Sequence, residues 1–171
     1  VFGGHLYSSP GVFLRELVQN AVDAIVERRR EHAASGGAAS EGNHFVGHVT
    51  IESDPDGGWV EVSDDGVGLD EPRIELCLAK IGYSSKVADD DLLGRFGIGL
   101  LAGFLVASEI AVDTRTATTE ALVWRARPDG TYAIEPGQRA LRGTTVRLAI
   151  ADAHRKYAEP AVLRELLDRY V

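Results

Sequence analysis

One long amphipathic segment near the start constrains everything that follows it. From Pro10 to about His32 the chain has helical spacing, with Leu14, Leu17, Val18, Ala21 and Ile25 forming an apolar stripe. Beside that stripe, Glu16, Asn20 and Asp23 fall at i, i+4 and i+7, so an acid, an amide and a second acid share one face. Pro10 suits the first helical turn, with Ser8 and Ser9 as candidate N-caps. Later segments alternate in the strand manner. His48–Ser53 and Trp59–Ser63 flank an Asp56-Gly57-Gly58 turn; Glu109–Arg115, Ala121–Arg127, Thr131–Glu135 and Thr144–Ile150 follow, with Asp129-Gly130 as a hairpin signal. Glu71–Ile81 reads as a helix, Gly94–Val106 as a loop entering a buried helix, and Pro160–Val171 as a final short helix. Helices early and hairpin strands late predict an α+β sandwich: one mixed, mostly antiparallel sheet with helices on one face.

The length of 171 residues fits one domain with a substantial core. A net charge of −8 argues against a nucleic-acid surface, which carries a basic stripe. The basic run Arg28-Arg29-Arg30 closes the first helix, where cations complement the dipole. Cys77 is the single cysteine, so no intrachain disulfide forms and a reducing, cytoplasmic setting is expected. It lies among Ile74, Leu76, Leu78 and Ile81 and reads as a core thiol. No apolar run reaches membrane-spanning length and no signal peptide is evident, so no membrane partner is expected. The chain begins at Val1 and contains no Met, as a piece of a longer protein would. The five histidines (His5, His32, His44, His48, His154) lack metal-ligand spacing, and Trp59 and Trp124 are expected in the core.

Four constellations carry chemistry. On the helix face, Glu16 can activate water and Asn20 can offer a neutral oxygen to a hard cation. Its plain alternative is a solvated polar face. Asp64-Asp65-Gly66-Val67-Gly68 follows a strand; glycines permit close backbone approach, and an acid at a strand end can accept from an exocyclic amine. A bare acidic turn has the same pattern. Gly94-Arg95-Phe96-Gly97-Ile98-Gly99 leads into a helix, whose N-terminal N–H groups suit an anion. It fits the dinucleotide fingerprint poorly, since no early βαβ unit surrounds it. Gly143-Thr144-Thr145-Val146 opens a strand with hydroxyls able to bind a base or a water.

These four in this order resemble the N-terminal ATPase domain of the heat-shock protein 90 chaperones, bacterial HtpG type, within the superfamily shared by gyrase, MutL and sensor histidine kinases. The likeness is closest over Leu6–Ile25, Asp64–Leu69, Ile81–Lys86 and Leu93–Ser108. It implies the Bergerat ATP-binding fold and roles by position. Glu16 resembles the general base and Asn20 the Mg²⁺ ligand. Asp23 stands where the chaperone, MutL and gyrase branches carry Asp. Asp64 resembles the acceptor of the adenine amino group, with Thr144 its partner through water. Gly68 is similar to the glycine under the base. Gly97 and Gly99 resemble the phosphate cradle, with Phe96 in the same run, and Ser84 a serine near the phosphates. Gly82–Arg95 resembles the lid.

The departures are local. Tyr83 stands where the family often has Lys, and Arg95 where the chaperones commonly have Gln. The lid is short. The resemblance implies ATP or ADP with Mg²⁺ as ligands, client and co-chaperone proteins as partners of the longer protein, and a homodimer formed by a distant region, with this piece monomeric. The family's middle domain lends a cation to the γ-phosphate, so weak hydrolysis is expected from this piece. An alternative within the superfamily is a nucleotide-binding regulatory module with little turnover. Asp23 argues against a histidine kinase, and Phe104-Leu105-Val106-Ala107 against MutL.

Overall fold

The computed structural model describes residues 10–35, 45–75 and 98–170. The first helix, α1, spans Val12–Ala34. Strands β1 (Val49–Asp54) and β2 (Trp59–Asp64) form a hairpin. Residues 71–75 are helical. A short helix α2 (Ile98–Leu101) runs into a 3-10 turn at Ala102–Leu105. Then come β3 (Ala107–Arg115), β4 (Leu122–Ala126), β5 (Tyr132–Pro136) and β6 (Gly143–Ile150). A 3-10 segment at Asp152–Ala158 and helix α3 (Pro160–Tyr170) complete the described chain.

The strands form a six-stranded sheet in the order β1-β2-β6-β3-β4-β5. The α+β sandwich is as the sequence predicts, with one difference: every strand pairing among the described residues is antiparallel, not mixed. Placing β6 between β2 and β3 joins two hairpin units that lie far apart in sequence. The start of the first helix also differs. Gly11 is the N-cap, without a side-chain cap, and Pro10 precedes it, so the proline lies outside the first turn.

Period-two alternation decides which face is covered. Val60, Leu148, Ile110 and Ala126 are register partners across four strands, and all are buried. Val62, Val146, Val112, Trp124 and Ile134 form the next row. Helix α1 lays Phe13, Leu14, Leu17, Val18 and Ala21 into the same core. It also packs against α2 and α3. Phe13 is fully buried and meets Tyr157 edge-on at 5.8 Å, tying α1 to the Asp152–Ala158 turn. Trp124 takes the predicted core position. Trp59 does not: it lies half-buried on the helix-free face, with the Arg147 guanidinium 4.3 Å above its ring. Among the described residues no helix is long and apolar enough to cross a membrane.

Candidate nucleotide site

A third row of the sheet, on the same buried face, is polar. Asp64 at the end of β2 pairs with Thr144 on β6, and Thr144 pairs with Thr114 on β3. Asp64 and Thr144 are each 7% exposed and Thr114 is 0% exposed. Buried polar groups need partners, and these have them. The Thr114 and Thr144 hydroxyls are 3.1 Å apart. Thr114 Oγ1 accepts the Leu69 N–H at 2.7 Å and lies 3.3 Å from the Gly143 carbonyl. Asp64 Oδ1 accepts the Gly66 N–H at 2.8 Å. Burial pushes the Asp64 carboxyl up to about 6, against the pull of backbone bonds from Gly66 and Thr144 and of the Arg139 charge. Neighbouring Asp65 adds to the rise.

The loop after β2 turns on glycines that nothing larger replaces. Gly68 has φ +74°, and a Cβ there would lie 2.1 Å from the Arg115 carbonyl oxygen. Gly66 lies against α1, where a Cβ would meet that of Ala24 at 2.5 Å. The Val67 N–H donates to the Ala24 carbonyl at 3.2 Å. The loop therefore rests on the helix one turn beyond Asn20.

The helix face carries the second half of the site. Glu16 is half-buried, and Asn20 and Asp23 are exposed. Glu16 Oε1 accepts from Arg15 Nη2 at 2.6 Å, while Asp23 Oδ1 accepts from Gln19 Nε2 at 2.9 Å. Gly99, at the start of α2, faces this helix directly. A Cβ on it would sit 2.7 Å from Glu16 Oε2 and 3.6 Å from Asn20 Nδ2. The missing side chain thus lets the acid and the amide come close to the Gly99 backbone.

Of the sequence-predicted residues, Glu16, Asn20 and Gly99 are brought together, and so are Asp64, Gly68 and Thr144. Ser84, Arg95, Phe96 and Gly97 lie outside the described residues, as do Cys77, Ser8, Ser9 and the lid segment Gly82–Arg95. Sequence reasoning missed Thr114; its signal was a threonine at the buried parity of β3, in step with Ile110 and Val112. It also missed Arg28, whose guanidinium donates to the Asp65 carbonyl and stacks on Phe45 at 4.4 Å. That arginine braces the loop and does more than complement the helix end.

A buried acid and a hydroxyl row meet α1 near Ala24, through the loop after β2, and an acid–amide pair lies under a glycine about two turns earlier, near Glu16. Residues 7–130 match the model for histidine kinase-, DNA gyrase B- and HSP90-like ATPases. The chain belongs to that ATPase family. The residues gathered along α1 are therefore the candidate nucleotide site of a domain of this family. Similar proteins include the chaperone protein HtpG of Shewanella sp. (strain W3-18-1), 33% identical over 96% of this chain. HtpG of Shewanella oneidensis is 32% identical and that of Chlorobium phaeovibrioides 29%, each over the same 96%. The chain spans 28% of the length of these relatives.

Proposed function

We propose that this domain binds Mg²⁺-ATP with its base on Asp64 and its phosphates toward Gly99, and hydrolyses it to drive an HtpG-like chaperone. The observation that carries the reading is the polar row Asp64–Thr144–Thr114, buried and hydrogen-bonded at the end of the sheet. An ionised Asp64 accepts from the adenine amino group; Thr144 serves the base through a water. Gly68 lets the base lie flat against the loop. From Ala24 to Glu16 the helix advances about 12 Å, the scale of an extended nucleotide.

At the far end, Glu16 takes a proton from water as the water oxygen bonds to the γ-phosphorus. The bond to the bridging oxygen breaks and ADP departs with it. Asn20 fits a Mg²⁺ role because the ion prefers few protein ligands alongside phosphates and water. No cluster of three His, Cys, Asp or Glu competes for a metal among the described residues. The Asn20 amide is exposed and lies beside Glu16 and Gly99, so its oxygen is open to an ion. Bound there, Mg²⁺ would neutralise phosphate charge. Asp23 supports the same face; the family resemblance adds Ser84, Arg95, Phe96 and Gly97 as phosphate contacts and gives Gly82–Arg95 the lid role. The partners of the longer protein are client and co-chaperone proteins and a second copy of itself, in the cytoplasm; the isolated domain is monomeric.

The test is calorimetric titration with ATP and ADP, with and without Mg²⁺, beside turnover of the full-length protein and its Glu16→Ala variant. Glu16→Ala keeps nucleotide affinity and loses turnover. Undiminished turnover in that variant would sink Glu16 as the base. Wild-type turnover at background with intact binding would leave a nucleotide-binding regulatory module instead.

A further inference from the structure

We propose that Arg139 is a positioning residue for nucleotide binding, locking the strand end that carries Asp64 from the opposite face of the sheet. The inference rests on the reading that Asp64 holds the base. Arg139 lies in the connection between β5 and β6. Its Nη2 donates to the Asp64 carbonyl at 2.6 Å. Its Nη1 donates to Thr145 Oγ1 and lies 3.5 Å from Ser63 Oγ, while Nε donates to the Leu141 carbonyl at 3.0 Å. Ser63 and Thr145 are register partners whose hydroxyls are 2.9 Å apart, and they alternate with Asp64 and Thr144. They therefore point to the helix-free face, and the guanidinium wraps the ends of β2 and β6 from behind the site.

The approach needs Gly143. Its φ is +130°, and a Cβ on it would sit 2.1 Å from the Asp64 carbonyl oxygen and 2.8 Å from Arg139 Nη2. Two further arginines hold the next carbonyls of the same loop, Arg28 on Asp65 and Arg142 on Val67 at 3.1 Å. They differ from Arg139 in what their charge meets. Arg142 pairs with Glu31 at 2.5 Å, and Arg28 lies at Asp65, which also holds His48. Arg139 is the cation that acts on the Asp64 carboxylate, against the opposing charge of Asp65. Asp113, on the helix-free face, also feels Arg139. A guanidinium spreads five donors over a rigid planar fork that spans these separated acceptors, whereas an ammonium concentrates three donors at one point.

Loss of this cation has two readable effects. The strand end loses its brace, so ADP binds more weakly. Asp64 also loses a neighbouring positive charge, so it protonates at higher pH, and the pH at which ADP affinity begins to fall moves up. The experiment is ADP affinity from about pH 5 to 8 for wild type, Asp64→Asn, Arg139→Gln and Arg139→Lys, with thermal melts of each. Arg139→Gln raises Kd about tenfold and moves the midpoint upward; Arg139→Lys keeps the wild-type midpoint and weakens binding less. A folded Arg139→Gln with wild-type Kd and midpoint overturns the proposal, even if its melting temperature falls. Should Arg139→Gln fail to fold, Arg139→Lys decides: weakened binding supports the role and unchanged binding overturns it. A wild type that binds no ADP, or an Asp64→Asn variant that binds like wild type, would instead refute the placement of the base on Asp64.

Discussion

Asp64 and Glu16 are the two carboxylates of the proposed site, yet the chain treats them differently. Asp64 is buried in a cross-strand row and bonded by its own loop, and Arg139 holds its backbone carbonyl. Its carboxyl is pushed up to about 6 by desolvation. Glu16 sits half-exposed on a helix, tied to its chain neighbour Arg15 and facing a glycine. Three strands and a loop must agree before Asp64 is placed; helix periodicity alone places Glu16. The Asp64 end, proposed to hold the base, is thus preorganised at a cost in desolvation, while the Glu16 end stays adjustable and partly solvated. The glycines follow the same division. Gly68 and Gly143 are hemmed in by backbone, and Gly99 meets the tip of a flexible side chain.

The largest effect belongs to the rigid end. Gly68→Ala forces a Cβ into the Arg115 carbonyl at positive φ, where no side-chain rotation relieves it. The expected loss is about 3 kcal/mol or more, a fall of roughly 10 °C in melting temperature. A melting temperature within about 2 °C of wild type would show that the loop yields, and the contrast between the two ends would weaken.

Asp64→Asn separates binding from stability. A carboxyl whose folded pKa lies above its unfolded value favours the fold most when protonated. That stability is full below the unfolded value, about 4, and is lost as pH rises through about 6. At about pH 7.5 ionised Asp64 therefore costs the ligand-free domain up to about 3 kcal/mol. Asparagine removes that cost and replaces the charged acceptor for the base with a weaker, neutral amide oxygen beside a donor. ADP binding should weaken on the order of 100-fold while the ligand-free melting temperature rises, and the gain should vanish near pH 4. A variant no more stable at either pH would mean that burial does not strain this acid.

Much of the fold is legible in the sequence because alternation and turn chemistry are local. The strand ends lie within about two residues of the alternation, and both predicted hairpin turns place a positive-φ glycine, Gly58 and Gly130. The 3-10 segments at Ala102–Leu105 and Asp152–Ala158 are not legible, being too short to show a 3.6-residue period. The candidate site divides in the same way. Glu16 and Asn20 follow from spacing on one helix. Thr114 and Arg139 join Asp64 only through register between strands far apart in sequence, which one chain read linearly does not contain. Trp59 fails for a related reason: its hydrophobicity marks a strand but not which face it takes.

The smallest expected change in stability tests the adjustable end most sharply. At Gly99 a Cβ would lie 2.7 Å from Glu16 Oε2 and 3.2 Å from Glu16 Cβ. The carboxylate can swing aside at the cost of a rotamer, and alanine favours a helix over glycine, so Gly99→Ala should change stability by no more than about 1 kcal/mol. Catalysis is less forgiving, because a general base displaced by about 1 Å loses its line to the attacking water. Turnover of the full-length protein should therefore fall on the order of 10- to 100-fold while the melting temperature stays within about 3 °C and ADP affinity stays close to wild type. Lost ADP affinity with intact turnover would reverse the assignment, making Gly99 part of the binding floor and leaving Glu16 free to move. Because Gly68→Ala and Gly99→Ala add the same methyl group, their ratio of stability loss to turnover loss measures how far the rigidity of the base end extends along α1.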